Sequence, residues 1–261
     1  MDELEQRVGF SLHGHVGVLT LQHHEQHNAL SPMQVKAILA AHTQSRLQKA
    51  RALVITSSDK FFSAGADIHE FLKGQLLNPD VPVGEHAPFS LFKTLIEDPR
   101  PIIAAVNGAA LGGGVELVLS SDLVIASKAA KFGMPEIGLG VLPRTAIVRL
   151  SEIIGRRRAM EMILMRRRIT AEEALSWGLI NRMVEPENLL SESIAWANEI
   201  ITAPPGIIGA VKRHLGRVDP EDWTAMHELL RAMDPNEWRE GLTAFKDNRA
   251  VDFEPFWQAK T

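Results

Sequence analysis

The sequence predicts an α/β chain with a helical C-terminal region, and three observations carry that prediction. Short apolar runs at Val16–Leu21, 52–56 and Ile102–Val106 read as buried strands, and the first two flank a segment on helical spacing. Another helix is expected directly after the third run, which completes a strand–strand–helix–strand order typical of layered α/β folds. From Glu187 onward the pattern is helical throughout, which suggests an appendage of helices behind a mixed front half.

Size and composition narrow the function. At 261 residues there is ample length for a core, and the 45% apolar and 23% charged fractions are those of an ordinary soluble protein. The formal net charge is −4 without a basic tail, so nucleic acid and anionic membranes exert no general electrostatic pull; neither is expected as a partner. The absence of cysteine removes disulfides, thiolate nucleophiles and cysteine metal sites. The start, MDELEQRVGF, lacks an apolar h-region and no run approaches a membrane span, so a cytoplasmic location is expected.

The elements follow in order. The strand at 16–21, preceded by strand-like residues 10–12, gives way to a polar turn, HHEQHNAL. Ser31 then caps a helix with Pro32 at its first position, running to about residue 50 on the spacing of Val35, Ile38 and Leu39. Histidines at 13, 15, 23, 24 and 27 invite a metal reading, but acidic partners at ligand spacing are missing. No metal is expected, although alternation puts His13 and His15 on one strand face. The stretch 61–71, FFSAGADIHEF, pairs a small-residue turn with a helix start. Residues 72–88 hold Pro79, Pro82, Gly84 and Pro88 and read as a loop, either over the site or an inert excursion. A helix at 89–96 ends at Asp98-Pro99, and DPRP leads into the central strand.

The most informative stretch is 102–140. Behind the apolar strand, Asn107-Gly108 breaks the run and Gly112-Gly113-Gly114 leads into VELVL. Three consecutive glycines carry an entropic cost that close approach of a ligand to bare backbone would explain. A helix starting there aims unpaired N–H groups and its positive dipole end at that ligand. Glu116 lies just inside this helix on an otherwise apolar face. Glu136 follows a strand-like DLVIAS and a short KFG, behind Met134-Pro135. Carboxylates among apolar residues are expensive to bury without a task. Two of them beside an anion-binding turn suggest acid–base chemistry next to a developing negative charge.

Farther on, arginine triplets at 156–158 and 166–168 suggest a phosphate contact or simply solvated helix faces. Thr170 and Glu173 form a capping box for a helix ending at Trp177-Gly178, followed by strand-like 179–184. Helices are expected at 189–201, from Pro205 to about 214, at 220–233 and at 235–248. Beyond them Phe253, Phe256 and Trp257 form an aromatic tail, suited to oligomer contacts or to docking.

Taken together, HNALSPM, FFSAGADIHEF, PIIAAVNGAALGGGVEL, SSDLVIASKAAKFGMPEIGLGVLP, GRRRAMEMIL, RRITAEEALSWGLINRMV and WREGLTAF resemble the enoyl-CoA hydratase/isomerase (crotonase) family over nearly the whole chain. The resemblance implies a spiral of ββα units over residues 1–195 bearing an acyl-CoA site. It also implies a C-terminal helical oligomerisation region over 196–261, with trimers that pair into hexamers. It places an oxyanion hole on the backbone N–H groups of Ala66 and Gly113, and the two hydratase carboxylates on Glu116 and Glu136. The acyl-CoA would run along Ala64, Gly65, Ala66, Asp67, Ile68 and His69 and past Gly112 and Gly113. Asn28, Ala29 and Leu30 would line the adenine and pantetheine side, and Phe245 would match an aromatic that reaches a neighbouring subunit's CoA. Coenzyme A enters as part of the substrate, with no separate cofactor. The activity implied is hydration of a 2-enoyl-CoA, with 3,2-enoyl-CoA isomerisation and thioester hydrolysis as alternatives. Two departures stand out. Arg144-Thr145-Ala146-Ile147-Val148 replaces a glycine-rich run after Pro143, so Arg144 either points at the carboxylates or turns to solvent. His27 stands where many members carry a cationic side chain before Asn-Ala-Leu.

Overall fold

A computed structural model describes residues 3–73, 88–215, 235–252 and 255. Two sheets organise it. The larger has six strands: β1 (Val8–His13), β2 (Val16–Leu21), β3 (Ala52–Ser57), β5 (Ile102–Val106), β7 (Leu123–Ser127) and β10 (Arg182–Val184), side by side in that order. Only the β1–β2 pair is antiparallel; the others run parallel, in register from Val16 opposite Ala52 to Ile103 opposite Leu123. The smaller sheet holds β4 (Phe61–Ser63), β6 (Ala109–Leu111), β8 (Lys131–Gly133) and β9 (Arg168–Thr170), with β8 and β9 antiparallel.

Successive turns of the chain supply one strand to each sheet and then a helix. β3 and β4 lead to α3 (Ile68–Leu72), β5 and β6 to α5 (Gly113–Leu119), and β7 and β8 to α6 (Arg144–Ile154). This is the expected spiral of ββα units. The strands of the second sheet span three residues each, too few for alternation to mark them in the sequence.

Parallel strands covered on both sides read as continuous apolar runs, and the structure shows why. Leu53, Ile55, Ile102, Ala104 and Val106 point into one core. There they meet α2 (Pro32–Leu47), α4 (Phe89–Glu97) and α5. Their chain neighbours Val54, Ile103 and Ala105 point into a second core closed by Leu189 and Ala197 of α9 (Leu189–Ile200). Each flip of side is the strand's two-residue period. α9 continues through residue 195, where the sequence reading set its boundary.

Local signals hold where they are strongest. Ser31 Oγ accepts from Gln34 N (3.2 Å), with Pro32 at the first helical position. α8 (Ala171–Trp177) begins with the complete Thr170–Glu173 capping box. Two expectations are corrected. β1 ends at His13 and His15 falls in the following turn, so the two histidines do not share a strand face. Of the expected strand at 179–184, only the last three residues pair. α1 (Glu3–Arg7), α7 (Arg156–Leu164), α10 (Pro205–Leu215) and α11 (Pro235–Lys246) are the remaining described α-helices. The helix expected at 220–233 lies outside the described residues, as do the aromatic tail and nearly all of the 72–88 loop. A third apolar cluster joins Trp238 and Leu242 of α11 to Phe71 and Val141, which brings this helix against the site. Among the described residues no helix is long and apolar enough to cross a membrane.

Candidate active site

The centre of the site is the meeting of two turns. At the end of β6, Gly112 takes φ +53°, and at the end of β4, Gly65 takes φ +93°. Both lie in the left-handed region that side chains disfavour. Space is as restrictive as angle: a Cβ on Gly65 would lie 2.5 Å from Leu111 O, and one on Gly112 2.7 Å from Glu136 Oε1. Leu30 N donates to Gly65 O (2.7 Å) and Gly112 N to Gly133 O (2.8 Å), which anchors both turns. The two amides that follow are adjacent, since Ala66 N is 3.2 Å from where a Cβ of Gly113 would sit. Among the described residues neither N–H finds an acceptor, and both residues line a cavity of about 410 Å³. This is the arrangement an oxyanion hole requires.

Glu116 and Glu136 face the same cavity. Glu116 is on α5 and only 5% exposed. Its Oε1 accepts from Thr145 N (2.7 Å) and Ala146 N (3.1 Å) at the start of α6. Burial raises its pKa, while those amides and the nearby Arg144 charge favour the ionised form. Glu136, in a single 3-10 turn behind Pro135, has only its own backbone amide in support, and its Oε2 is buried without a partner. Burial first, and the Glu116 charge second, push it up to about 8. Burial raises both carboxyls, but only Glu136 is raised further by the charge of the other, so Glu116 is the first of the pair to ionise and Glu136 keeps its proton to higher pH.

Arg144 does not turn to solvent. It opens α6 after Pro143, is 2% exposed, and lines the cavity. Its Cζ lies 3.8 Å from the centroid of the Phe89 ring, a cation–π stack that fixes the guanidinium plane. Burial depresses its pKa to about 10, so it remains charged.

The other residues expected at the site divide into two groups. Ala64, Ile68 and Phe245 line the cavity together with Ala66, Gly112 and Gly113. Phe245, on α11 and 60% exposed, does so in its own chain. The remainder shape the site from behind. Asn28 is fully buried at φ 55°, its Nδ2 donating to Ser57 Oγ (2.9 Å) and Phe61 O (3.1 Å). Leu30 forms a one-residue parallel bridge with Ala66, and Asp67 caps α3 by accepting from His69 N (2.9 Å). Ala29, Gly65, Asp67 and His69 are not on the cavity wall. Sequence reasoning missed Phe71, Phe89, Val141 and Leu242, which give the wall its apolar character. Phe89 and Leu242 belong to the amphipathic helices α4 and α11, while Phe71 lies in the short α3 and Val141 in a loop with no periodicity to mark it.

The arginine triplets also separate. Arg167 pairs with Glu161 and Glu173, whereas Arg166 and Arg168 lie on the cavity rim. The histidines make local contacts: His13 with Ser11 Oγ (3.0 Å), His24 with Ser58 Oγ (2.7 Å), His27 with Asp59 (3.4 Å). Among the described residues no group of three acidic or histidine side chains is arranged to hold a metal.

Comparison with known proteins agrees with this geometry. The family model described as enoyl-CoA hydratase/isomerase matches residues 12–255. A probable enoyl-CoA hydratase of Rhizobium meliloti is 36% identical over 248 residues, covering 92% of this chain and 95% of the relative. The mevalonyl-coenzyme A hydratase SIDH of Beauveria bassiana is 35% identical, covering 94% and 91%. The crystal structure of carnitinyl-CoA hydratase from Mycobacterium avium superposes with a TM-score of 0.82 at 31% identity, over 96% of this chain and 99% of that one. Sequence, architecture and site therefore converge, and the chain belongs to the enoyl-CoA hydratase/isomerase family.

Proposed function

We propose that the protein is an enoyl-CoA hydratase that adds water across the 2,3 double bond of an enoyl-CoA thioester. The observation that carries this reading is the pairing of two unengaged amides with two carboxyls in unequal surroundings around one cavity. The thioester oxygen accepts from Ala66 N–H and Gly113 N–H, each worth about 3 kcal/mol once negative charge develops there. Ionised Glu116 takes a proton from water as its oxygen bonds to C3, and the π electrons shift onto the thioester oxygen as an enolate. Neutral Glu136 gives its proton to C2. Glu116 then passes the proton it took from water to Glu136, so the net addition is one OH and one H and both carboxyls return to their starting states. Coenzyme A is carried by the substrate and no further cofactor takes part.

The decisive experiment offers crotonyl-CoA and a 3-enoyl-CoA to wild type, Glu116→Gln and Glu136→Gln. Hydration by wild type and its loss in both variants is the expected result. Isomerisation that survives in Glu116→Gln without any hydration would make the protein an isomerase with Glu136 as its single base. Release of free CoA thiol would make it a thioester hydrolase. The same reading places the enzyme in the cytoplasm as a trimer or hexamer. Exposed Ile207, Val211 and Leu215 on α10 supply apolar surface for such an assembly, which sedimentation would measure.

A further inference from the structure

The described residues include a buried cation with no salt-bridged carboxylate among them. Arg144 is 2% exposed, its Nη1 is buried without a hydrogen bond, and no carboxylate among the described residues lies within 4.0 Å of it. A guanidinium taken out of water without an anion is destabilising by several kcal/mol. Among the described residues its compensation is the Phe89 ring face and the Glu116 charge, which acts without a direct contact, while Phe71 and Val141 on the same cavity wall offer none. Glu116 does not need the charge as a pairing partner, because one of its oxygens already accepts two backbone amides at 2.7 and 3.1 Å. The contact of its Cζ with the Phe89 ring makes no hydrogen bond and leaves Nη1 for an acceptor such as a carboxylate. The position is also telling, since Arg144 lines the same cavity as the oxyanion amides and both glutamates.

We propose that Arg144 is a substrate-binding residue that receives a carboxylate on the acyl group, so that the preferred substrates are short enoyl-CoA thioesters of dicarboxylic acids. The inference rests on the cavity being the acyl pocket of an enoyl-CoA enzyme, and it goes further by fixing the chemistry of the acyl tail. A neutral tail would leave the guanidinium desolvated and unpaired, and a cationic tail would be repelled outright. A carboxylate a few carbons beyond the double bond restores the lost hydrogen bonds and neutralises the charge.

The test separates binding from turnover. Glutaryl-CoA and butyryl-CoA, which are saturated and unreactive, are titrated calorimetrically into wild type, Arg144→Met and Arg144→Lys. Glutaconyl-CoA and crotonyl-CoA are then compared by kcat/KM in the same three proteins. Wild type is expected to bind glutaryl-CoA at least about 10-fold more tightly than butyryl-CoA. Arg144→Met should erase that preference and cut the glutaconyl-to-crotonyl ratio of kcat/KM by about 100-fold. Arg144→Lys, which keeps the charge but loses the fork, should fall between them and also serves if Arg144→Met does not fold. Equal binding of the two saturated esters by wild type overturns the proposal. So does a preference that survives in Arg144→Met, or an equal loss on both enoyl esters accompanied by a shifted pH profile, which would mark Arg144 as a residue that only tunes Glu116. If glutaryl-CoA binds preferentially while neither enoyl ester is hydrated, the hydratase reading fails and the carboxylate pocket stands.

Discussion

Asp98 and Glu136 are both buried carboxyls, and the protein treats them in opposite ways. Asp98 stands where α4 gives way to β5. Its Oδ2 meets His42 Nε2 at 2.5 Å and Arg100 Nη2 at 2.7 Å, and its Oδ1 accepts from Arg100 N at 2.9 Å. Arg100 extends the network to Ser45 Oγ (3.0 Å) and Ala50 O (3.2 Å), tying α2 to the start of the central strand. Burial alone would raise the Asp98 pKa, but bonds to His42 and Arg100 overcome it and hold the carboxyl far below the ordinary range. Among the described residues Glu136 receives no cation and only its own backbone amide, and burial, with the Glu116 charge second, carries it up to about 8. Burial is therefore not what distinguishes a structural carboxyl from a chemical one. What distinguishes them is whether neighbours satisfy the charge or leave the proton in place.

The largest effect should come from removing the proton donor or its partner. Glu136→Gln and Glu116→Gln are each expected to lower kcat for enoyl-CoA hydration by about 10³- to 10⁴-fold, with KM changing far less. Circular dichroism should show both variants folded, because Glu116→Gln keeps an oxygen that can accept from Thr145 N and Ala146 N, and among the described residues the Glu136 side chain bonds no other element. A variant that keeps its rate would remove that glutamate from the chemistry.

Asp98→Asn is the mirror experiment. Breaking a buried, paired charge should destabilise the protein by about 3 kcal/mol, read as a lower denaturation midpoint. The kcat of the folded fraction should stay close to wild type, since the network faces the core and not the cavity. If kcat fell with stability unchanged, the contrast between the two carboxyls would be mistaken.

The two groups also predict opposite pH responses. The depressed Asp98 contributes stability that is present above its ordinary value of about 3.8 and lost as pH falls through the folded value. The raised Glu136 favours the folded state fully below about 4.5, and that contribution is lost as pH rises toward 8. Wild-type kcat should accordingly fall about tenfold per unit above pH 8, as the acid ionises. Its acid limb belongs to Glu116 and lies above the ordinary carboxylate range, because burial raises that group too. An alkaline limb that stays near 8 in Glu136→Gln would assign it to another residue.

How much of this could be read in the sequence follows from the length of each signal. The six-stranded sheet was legible where its runs are long and apolar, because strands covered on both faces need no polar alternation. The second sheet was not, since Phe61–Ser63 and Ala109–Leu111 fall below the span at which a period can be recognised. Glu116, Glu136 and the glycine triplet declared themselves by being expensive to keep. Asp98 did not, although it is as deeply buried, because DPRP reads simply as a turn into the next strand. Its partners His42 and Ser45 come from a helix more than fifty residues earlier. The fate of Arg144 was equally hidden, since only tertiary packing decides whether an arginine after proline faces water or Phe89.

Gly112→Ala sharpens the comparison from the side of the backbone. The new Cβ would sit 2.7 Å from Glu136 Oε1 at a φ of +53°. A destabilisation of about 1–3 kcal/mol is expected from the backbone conformation alone, together with a displaced acid. Loss of hydration larger than the loss of stability explains would show that the glycine keeps room for the Glu136 carboxyl. Equal losses would reduce it to a turn residue.

The smallest effect tests whether a carboxylate can do the structural work of Asp98 without being buried. Glu173 accepts from Thr170 N (3.0 Å) while Thr170 Oγ1 accepts from Glu173 N (3.2 Å), and Arg167 pairs with the same carboxylate. Thr170 is exposed, so water competes for every one of these groups. Thr170→Ala should therefore lower stability by only about 1 kcal/mol, a shift of about 2–4 °C in Tm, and leave crotonyl-CoA hydration unchanged. A loss as large as that from Asp98→Asn would mean that the connection from β9 to α8 is as critical as the buried network. In that case solvent exposure would not be what separates a strong carboxylate network from a weak one.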